Sequence, residues 1–499
     1  MHTTPDDPHL WLEDVEGKEA LDWVRARNAV SEKQLAGDPG FERMRKDILD
    51  ILDSDARIPY VSKRGEYYYN FWRDQQNPQG VWRRTTLAEY RKDEPQWEVL
   101  LDIDALGKAE GVNWVWAGAE CLRPDYDRCL IDLSRGGADA TVTREFDVSD
   151  KAFVEGGFSR PEAKGQMGWI DIDTVYVGTD FGPGSMTSSG YPRVAKEWKR
   201  GTPMSEARLV FEGQASDISV GAYRDDTPGW ERDFVYRGLT FYTNELYLRG
   251  QDGSLTKLDL PDGAQKSAFR EWLSVELRQP WEVKGTTHPA GSLLAIKLDD
   301  FLRGDRDFDV LFEPSANTSL ASSTATKDYV VINVLEDVKN RIYVLKHGPD
   351  GWSREPLAGA PAFGTVGISA VDADESNDYF MTVTDYLTPT SLLMGTVGQA
   401  PETLKQLPAF FDASQHEIRQ HFATSKDGTK VPYFMVSRKD LELDGDNPTL
   451  LYGYGGFEVS MTPGYSAGVG KAWLADGGVY VVANIRGGGE YGPRWHQAA

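Results

Sequence analysis

Residues 328–352 read DYVVINVLEDVKNRIYVLKHGPDGW. Two short runs rich in Val, Ile and Leu flank one polar turn, and Pro349, Asp350 and Gly351 make a second turn after them. Runs of β-branched residues bounded by turn residues read as strands, so this stretch is a strand, a hairpin and a second strand. Runs of the same kind, each ending in a turn cluster, recur on both sides of it. They are GEYYYNFW from Gly65, DRCLIDLS from Asp127, DTVYVGTD from Asp173, LTFYTNELYLRG from Leu239, GSLLAIKL from Gly291 and DYFMTVTD from Asp378.

With the run at Asp328 these make seven openings at a mean spacing of about 52 residues, close to the period of a four-stranded propeller blade. So many short antiparallel strands must hide their edges. Radial stacking does this because each sheet covers its neighbour's face, which favours a β-propeller over a sandwich. The repeats are degenerate, and the count is open by one. No helix-length periodic segment clearly interrupts this region.

The flanks follow a different pattern. Residues 18–34 have the spacing of an amphipathic helix, and Asp38 followed by Pro39 is a helix start. Phe41, Met44, Ile48, Ile51 and Leu52 then form one apolar stripe. Near Ser425 the pattern changes again. VPYFMVS from Val431, TLLYGYGGF from Thr449 and GVYVVANI from Gly478 are apolar strands, with a helix-compatible segment at 467–475. Such alternation predicts the beginning of an α/β sheet covered on both faces.

Composition narrows the classes. The chain of 499 residues is long enough for roughly two or three units. With 54 basic and 78 acidic residues its formal charge is −24, which opposes binding to nucleic-acid phosphate or an anionic bilayer. Cys121 and Cys129 are too few for a disulfide framework and match no usual zinc spacing, so they read as buried or idle thiols. The start, MHTTPDDPHLWLEDVEG, has neither a basic nor an apolar leader region, and no run approaches about 18 apolar residues. A cytoplasmic protein is the expectation.

The segment that bears on chemistry is LLYGYGGF, residues 450–457, read as a buried strand running into a glycine-rich turn. In α/β-hydrolases the loop after the third strand supplies part of the oxyanion hole. A hydroxyl there, on Tyr452 or Tyr454, is a donor for developing negative charge. Taken alone, the segment is a glycine-rich strand end, for which a structural turn is the default reading.

Longer stretches add a resemblance. SKDGTKVPYFMVSRKDLELDGDNPTLLYGYGGFEVSMTPGYS from Ser425 and VVANIRGGGEYGPRWH from Val481 closely resemble the start of the catalytic domain of prolyl oligopeptidases, serine peptidases of the α/β-hydrolase fold. WLEDVEGKEALDWVRARN from Trp11 and DVKN at Asp337 resemble the same family. The resemblance implies an N-terminal helical segment over 1–62 that packs on the hydrolase domain, a seven-bladed β-propeller over 63–410, and the first part of the α/β-hydrolase domain over 411–499. It implies that Tyr454 donates to the oxyanion and that Phe457 lines the pocket for the residue before the scissile bond. The related oligopeptidases specific for basic residues usually carry serine and tyrosine where Gly456 and Phe457 stand, so Phe457 implies an apolar, proline-like side chain. Short peptides are the implied substrates, with no metal or organic cofactor, and the oligomeric state is left open. The family's nucleophilic serine, aspartate and histidine lie beyond the RGGGEYG segment. The 75 residues from Ser425 to Ala499 are fewer than a hydrolase domain needs, so the expectation is a chain that lacks its triad and is inactive alone. The alternative is a non-catalytic propeller that binds a peptide or protein.

Four other patterns are weighed and set aside. Gly464 to Gly468 fits G-x-S-x-G around Ser466, with Asp476 and His496 following. However, Pro463 stands where a strand should feed the elbow, and ten residues between Ser466 and Asp476 are too few for the intervening elements. Gly487, Gly489 and Gly492 fit a dinucleotide pattern without a βαβ unit. His416 and His421 are five apart, which puts them about 140° apart on a helix and on opposite faces of a strand. Asp305, Asp307 and Asp309 imitate a calcium loop, but Val310 and Ala316 occupy its glycine and glutamate positions.

Overall fold

Strand-forming runs punctuated by turns fold into seven successive antiparallel sheets in the computed structural model, which describes residues 7–499. The first six residues of the N-terminal reading lie outside that range. The first sheet pairs Ser62–Arg64, Tyr67–Trp72, Val81–Thr86 and Glu98–Asp102 in chain order. The first strands of the next six begin at Trp114, Gln166, Ser219, Gln265, Thr318 and Thr365. Each of the seven openings falls in a different sheet. Five mark the second strand, whereas those from Leu239 and Gly291 mark the third. In the fourth sheet the turn between Arg232–Thr240 and Thr243–Arg249 is Phe241-Tyr242. It carries none of the usual turn residues, so the sequence pattern runs straight through it.

The sheets are joined face to face by apolar clusters. Trp82 and Leu101 of the first meet Ile131 and Phe146 of the second. Phe234 and Leu246 of the fourth meet Leu273 and Leu294 of the fifth. Tyr68 and Tyr90 of the first also meet Phe380 and Leu392 of the seventh, which returns the chain to its start. At about 1.5–3 kcal/mol for each fully buried large side chain, these clusters are the main stabilising contribution. Short helices do interrupt the region, the longest being Ile103–Glu110, whose cap Asp102 accepts from Ala105 N at 2.9 Å. At about two turns it is too short to leave a period in the sequence.

Cys121 and Cys129 are not thiols, contrary to the sequence reading; they form a disulfide. Their separation spans one hairpin whose register sets Cys121 directly opposite Cys129. Spacing alone did not reveal that alignment.

Before the first sheet, α1 spans Lys18–Leu35 and α2 spans Pro39–Leu52. Asp38 caps α2 by accepting from Gly40 N at 2.6 Å, with Pro39 at the first helical position. No residue of α2 is buried, so its apolar stripe forms but stays largely uncovered. Among the described residues no helix is long and apolar enough to cross a membrane.

After the seventh sheet, His416–Thr424, Lys430–Arg438, Val479–Ala483 and Thr449–Gly453 form a mixed sheet in that order, the last pair parallel. Thr449–Gly453, read from sequence as buried, is exposed at every position, with Leu451 at 68 %. It is an edge strand, and an apolar strand of this kind is normally covered on both faces. The sheet is tied to the ring by Val338 at the tip of a sixth-sheet hairpin. Val338 is fully buried against Phe434, Val436 and Val482. It holds a φ of 68°, unusual for a β-branched residue, kept by this packing and by Gln420 Nε2, which donates to the preceding Asp337 O at 2.7 Å.

Candidate active site

The loop after Thr449–Gly453 is shaped by two glycine turns in contact. Gly455 has a φ of 67°, a conformation glycine adopts without strain. A Cβ on Gly487 would lie 1.9 Å from Gly455 O, so backbone touches backbone here. That contact is the work of Gly487, and the dinucleotide pattern is a structural turn. Beyond it, Phe457 and Glu458 hold φ values of 52° and 61°. The loop is held there by its neighbours. Met461 N donates to Glu490 Oε1 at 2.9 Å, and Asn484 Nδ2 donates to Met461 O at 2.7 Å. Glu458 N lies 3.1 Å from His496 Nδ1.

Tyr454 is 46 % exposed, and its hydroxyl has no hydrogen-bond partner among the described residues. Phe457 is 62 % exposed. Its ring centroid lies 5.3 Å from that of Phe241, at the tip of the fourth-sheet hairpin. Tyr242 lies beside the His496 ring at 5.4 Å, and the Arg278 guanidinium sits 3.7 Å from the centre of the Tyr242 ring. Arg278 pairs with Glu458. A cavity of about 410 Å³ adjoins this seam, lined by Glu276, Ser322, Asn333, Glu458 and Ser460 among others. The structure thus brings Phe457 to one mouth of the ring, with Tyr454 three residues before it in the same loop. Phe241, Tyr242, Glu276 and Arg278 escaped the sequence reading, because their only local signal is an aromatic pair in a turn.

Glu276 is a carboxyl under stress. Burial, with the Glu458 charge adding to it, pushes its pKa from 4.5 up to about 7. The folded state therefore holds this proton more tightly than the unfolded chain does, and stability falls as pH rises from about 4.5 to about 7. Glu276→Gln removes the ionisation. It is expected to stabilise the protein at pH 8 by on the order of 2–3 kcal/mol, and to be near neutral at pH 4.5. Thermal unfolding of both chains at the two pH values checks this, and an equal gain at both contradicts the assignment.

The remaining candidates have other partners. Ser466 accepts from Val469 N at 3.2 Å as a helix cap. Asp476 lies 3.8 Å from Arg43, and His496 Nδ1 is 2.6 Å from Gly487 O, so these three form no triad. His416 and His421 lie on one strand, five residues apart and so on opposite faces. His416 Nε2 meets Leu474 O at 3.0 Å, and His421 stacks on Tyr433. Asp305 and Asp307 pair with Lys284 at 3.0 and 2.7 Å.

A family model described as prolyl oligopeptidase, N-terminal beta-propeller domain, matches residues 2–400. An uncharacterized peptidase of Sinorhizobium fredii is 42 % identical over 504 residues, covering 99 % of this chain and 69 % of its own length. The prolyl endopeptidase of Elizabethkingia meningoseptica is 26 % identical, covering 99 % of this chain and 68 % of its own length. Among solved structures, a post-proline cleaving enzyme from Rickettsia typhi superimposes with a TM-score of 0.90 at 33 % identity, covering 98 % of this chain and 73 % of that one.

Proposed function

The chain belongs to the prolyl oligopeptidase family, and from that premise we propose that it supplies the propeller and the transition-state-binding side of a serine peptidase that cleaves short peptides after proline. The seven sheets are its seven blades. Residues 63–410 are the propeller, residues 1–62 a helical segment that packs on the hydrolase part, and residues 411–499 the first part of the α/β-hydrolase domain. One observation carries the reading: an unengaged phenol and an exposed aromatic ring, Tyr454 and Phe457, are set in one loop at the mouth of the ring. The phenol is a donor for the oxyanion, and Phe457 is an apolar wall for the side chain before the scissile bond. The similar Rickettsia typhi enzyme is described as cleaving after proline, which supports the same preference.

In this mechanism a serine attacks the peptide carbonyl, a histidine takes its proton and returns it to the leaving amine, and an acyl-enzyme is then hydrolysed. The carbonyl oxygen gains charge only as it becomes tetrahedral, so a donor at Tyr454 acts mainly on the transition state. Among the described residues Ser466, Asp476 and His496 assemble no such triad, and the reading places it in the part of the relatives' length that this chain does not match. The test is hydrolysis of a proline-linked chromogenic peptide. Residues 1–499 are expected to give none, and a polypeptide extended to the length of its relatives to be active and to prefer proline to arginine. Activity of residues 1–499 that Ser466→Ala abolishes would sink this reading.

A further inference from the structure

In an antiparallel sheet, successive hairpin loops alternate between the two ends. The loops between second and third strands, including 241–242 and 337–338, face the candidate site. Those between first and second strands therefore lie at the far end of the ring. The far-end loop of the seventh sheet, residues 371–377, does not stay on its own rim.

Asp372 takes Lys63 Nζ of the adjacent first sheet at 3.0 Å, and Asn377 Nδ2 donates to Asp328 of the adjacent sixth at 2.8 Å. Two further contacts go past these neighbours. Asp374 pairs with Arg123 in the far-end loop of the second sheet, and that guanidinium also lies 4.0 Å from Asp226 in the fourth. From the other side, Arg270 in the fifth sheet's far-end loop donates through Nη2 to the carbonyls of Ala373 and Asp374, each at 3.3 Å. In a seven-membered ring the second and fifth sheets each stand two places from the seventh, in opposite directions. One short loop reaches both only by lying over the axis.

These contacts are enclosed, with side-chain exposures of 21 % for Arg123 and 15 % for Asp374. Arg270 is itself held through its carbonyl, which accepts from Arg232 Nη2 at 2.5 Å. Asp372 Oδ1 accepts from Asp374 N at 3.1 Å and stiffens the loop from within. We propose that residues 372–376 form a strap, pinned by Arg123 and Arg270, that closes the far mouth of the propeller channel. The strap rests only on these contacts and not on the peptidase reading.

The test needs no catalytic activity. Both cysteines of the chain are in the disulfide, so Ser323→Cys introduces a single thiol. Ser323 is exposed on Thr318–Ala325, a first strand whose neighbours across the axis are the other first strands. A polyethylene glycol maleimide too bulky for the channel's far mouth when strapped is expected to label this thiol slowly. Adding Arg123→Ala and Asp374→Ala is expected to speed labelling at least tenfold, while N-ethylmaleimide labels both chains at similar rates. The charge-reversed pair Arg123→Asp with Asp374→Arg is expected to restore slow labelling, which separates opening of the strap from loss of fold. An equal rate in the alanine variant with its thermal transition intact overturns the strap. Failure of the proline-linked assay overturns the peptidase reading and leaves the strap standing.

Discussion

In the polypeptide extended to the length of its relatives, Tyr454→Phe is expected to lower kcat by about 10²–10³-fold with little change in KM. The substitution keeps the ring and removes one oxygen. Because the hydroxyl has no partner among the described residues, its loss leaves no unpaired group behind. Stability should therefore hold, and the effect is confined to the step in which the oxyanion forms. A loss of this size corresponds to about 2.7–4 kcal/mol of transition-state stabilisation. Steady-state kinetics on a proline-linked chromogenic peptide, beside thermal unfolding, make the measurement. An unchanged kcat removes Tyr454 from the mechanism, and a rise in KM alone reassigns it to substrate binding.

Val338→Asp is expected to release the mixed sheet from the ring. The side chain is fully buried among Phe434, Val436 and Val482, an apolar surrounding for a carboxylate. An uncompensated buried charge costs on the order of 3–5 kcal/mol. Thermal unfolding should split into two transitions, and chymotrypsin should cut after Phe410 or Phe411 in the connection at 407–415. Val338→Gly is the control. It loses the same apolar contact, but glycine adopts the φ of 68° freely, and the strain it relieves, about 1–3 kcal/mol, offsets part of the loss. A single transition at the unaltered temperature for Val338→Asp contradicts the anchoring role.

The Glu276→Gln pH profile and the strap bear on opposite ends of the same ring. Glu276 lies where the ring meets the loop of Phe457, and its neighbour Glu458 is held by Arg278. Around the axis, the far end is tied by ion pairs between sheets that are not adjacent. The site-side seam is also the end at which a buried carboxyl works against the fold above pH 7.

Local signals were legible wherever they depend on neighbours along the chain. The period of residues 18–34 and the Asp38-Pro39 start placed α1 and α2 within one residue. Turn clusters found one strand in every sheet, and failed to mark the hairpin only at Phe241-Tyr242, where two aromatic residues make the turn. LLYGYGGF and RGGGEYG announced a glycine-shaped loop, and Gly455 against Gly487 is that loop. The stripe on α2 was read correctly as helix, but its period could not say whether anything covers it.

What the sequence by itself determined is therefore the set of strands and helices, their approximate repeat, and the residue types of the loop that carries Tyr454 and Phe457. These follow from backbone preferences and apolar periodicity, which act over a few residues. Tertiary structure alone decided the Cys121–Cys129 register, the exposure of Thr449–Gly453, the meeting of Phe457 with Phe241, and the crossing of Asp374 to Arg123. Each depends on how strands align or on which surfaces close together. The last two join residues more than 200 positions apart, and no local pattern records such a pairing.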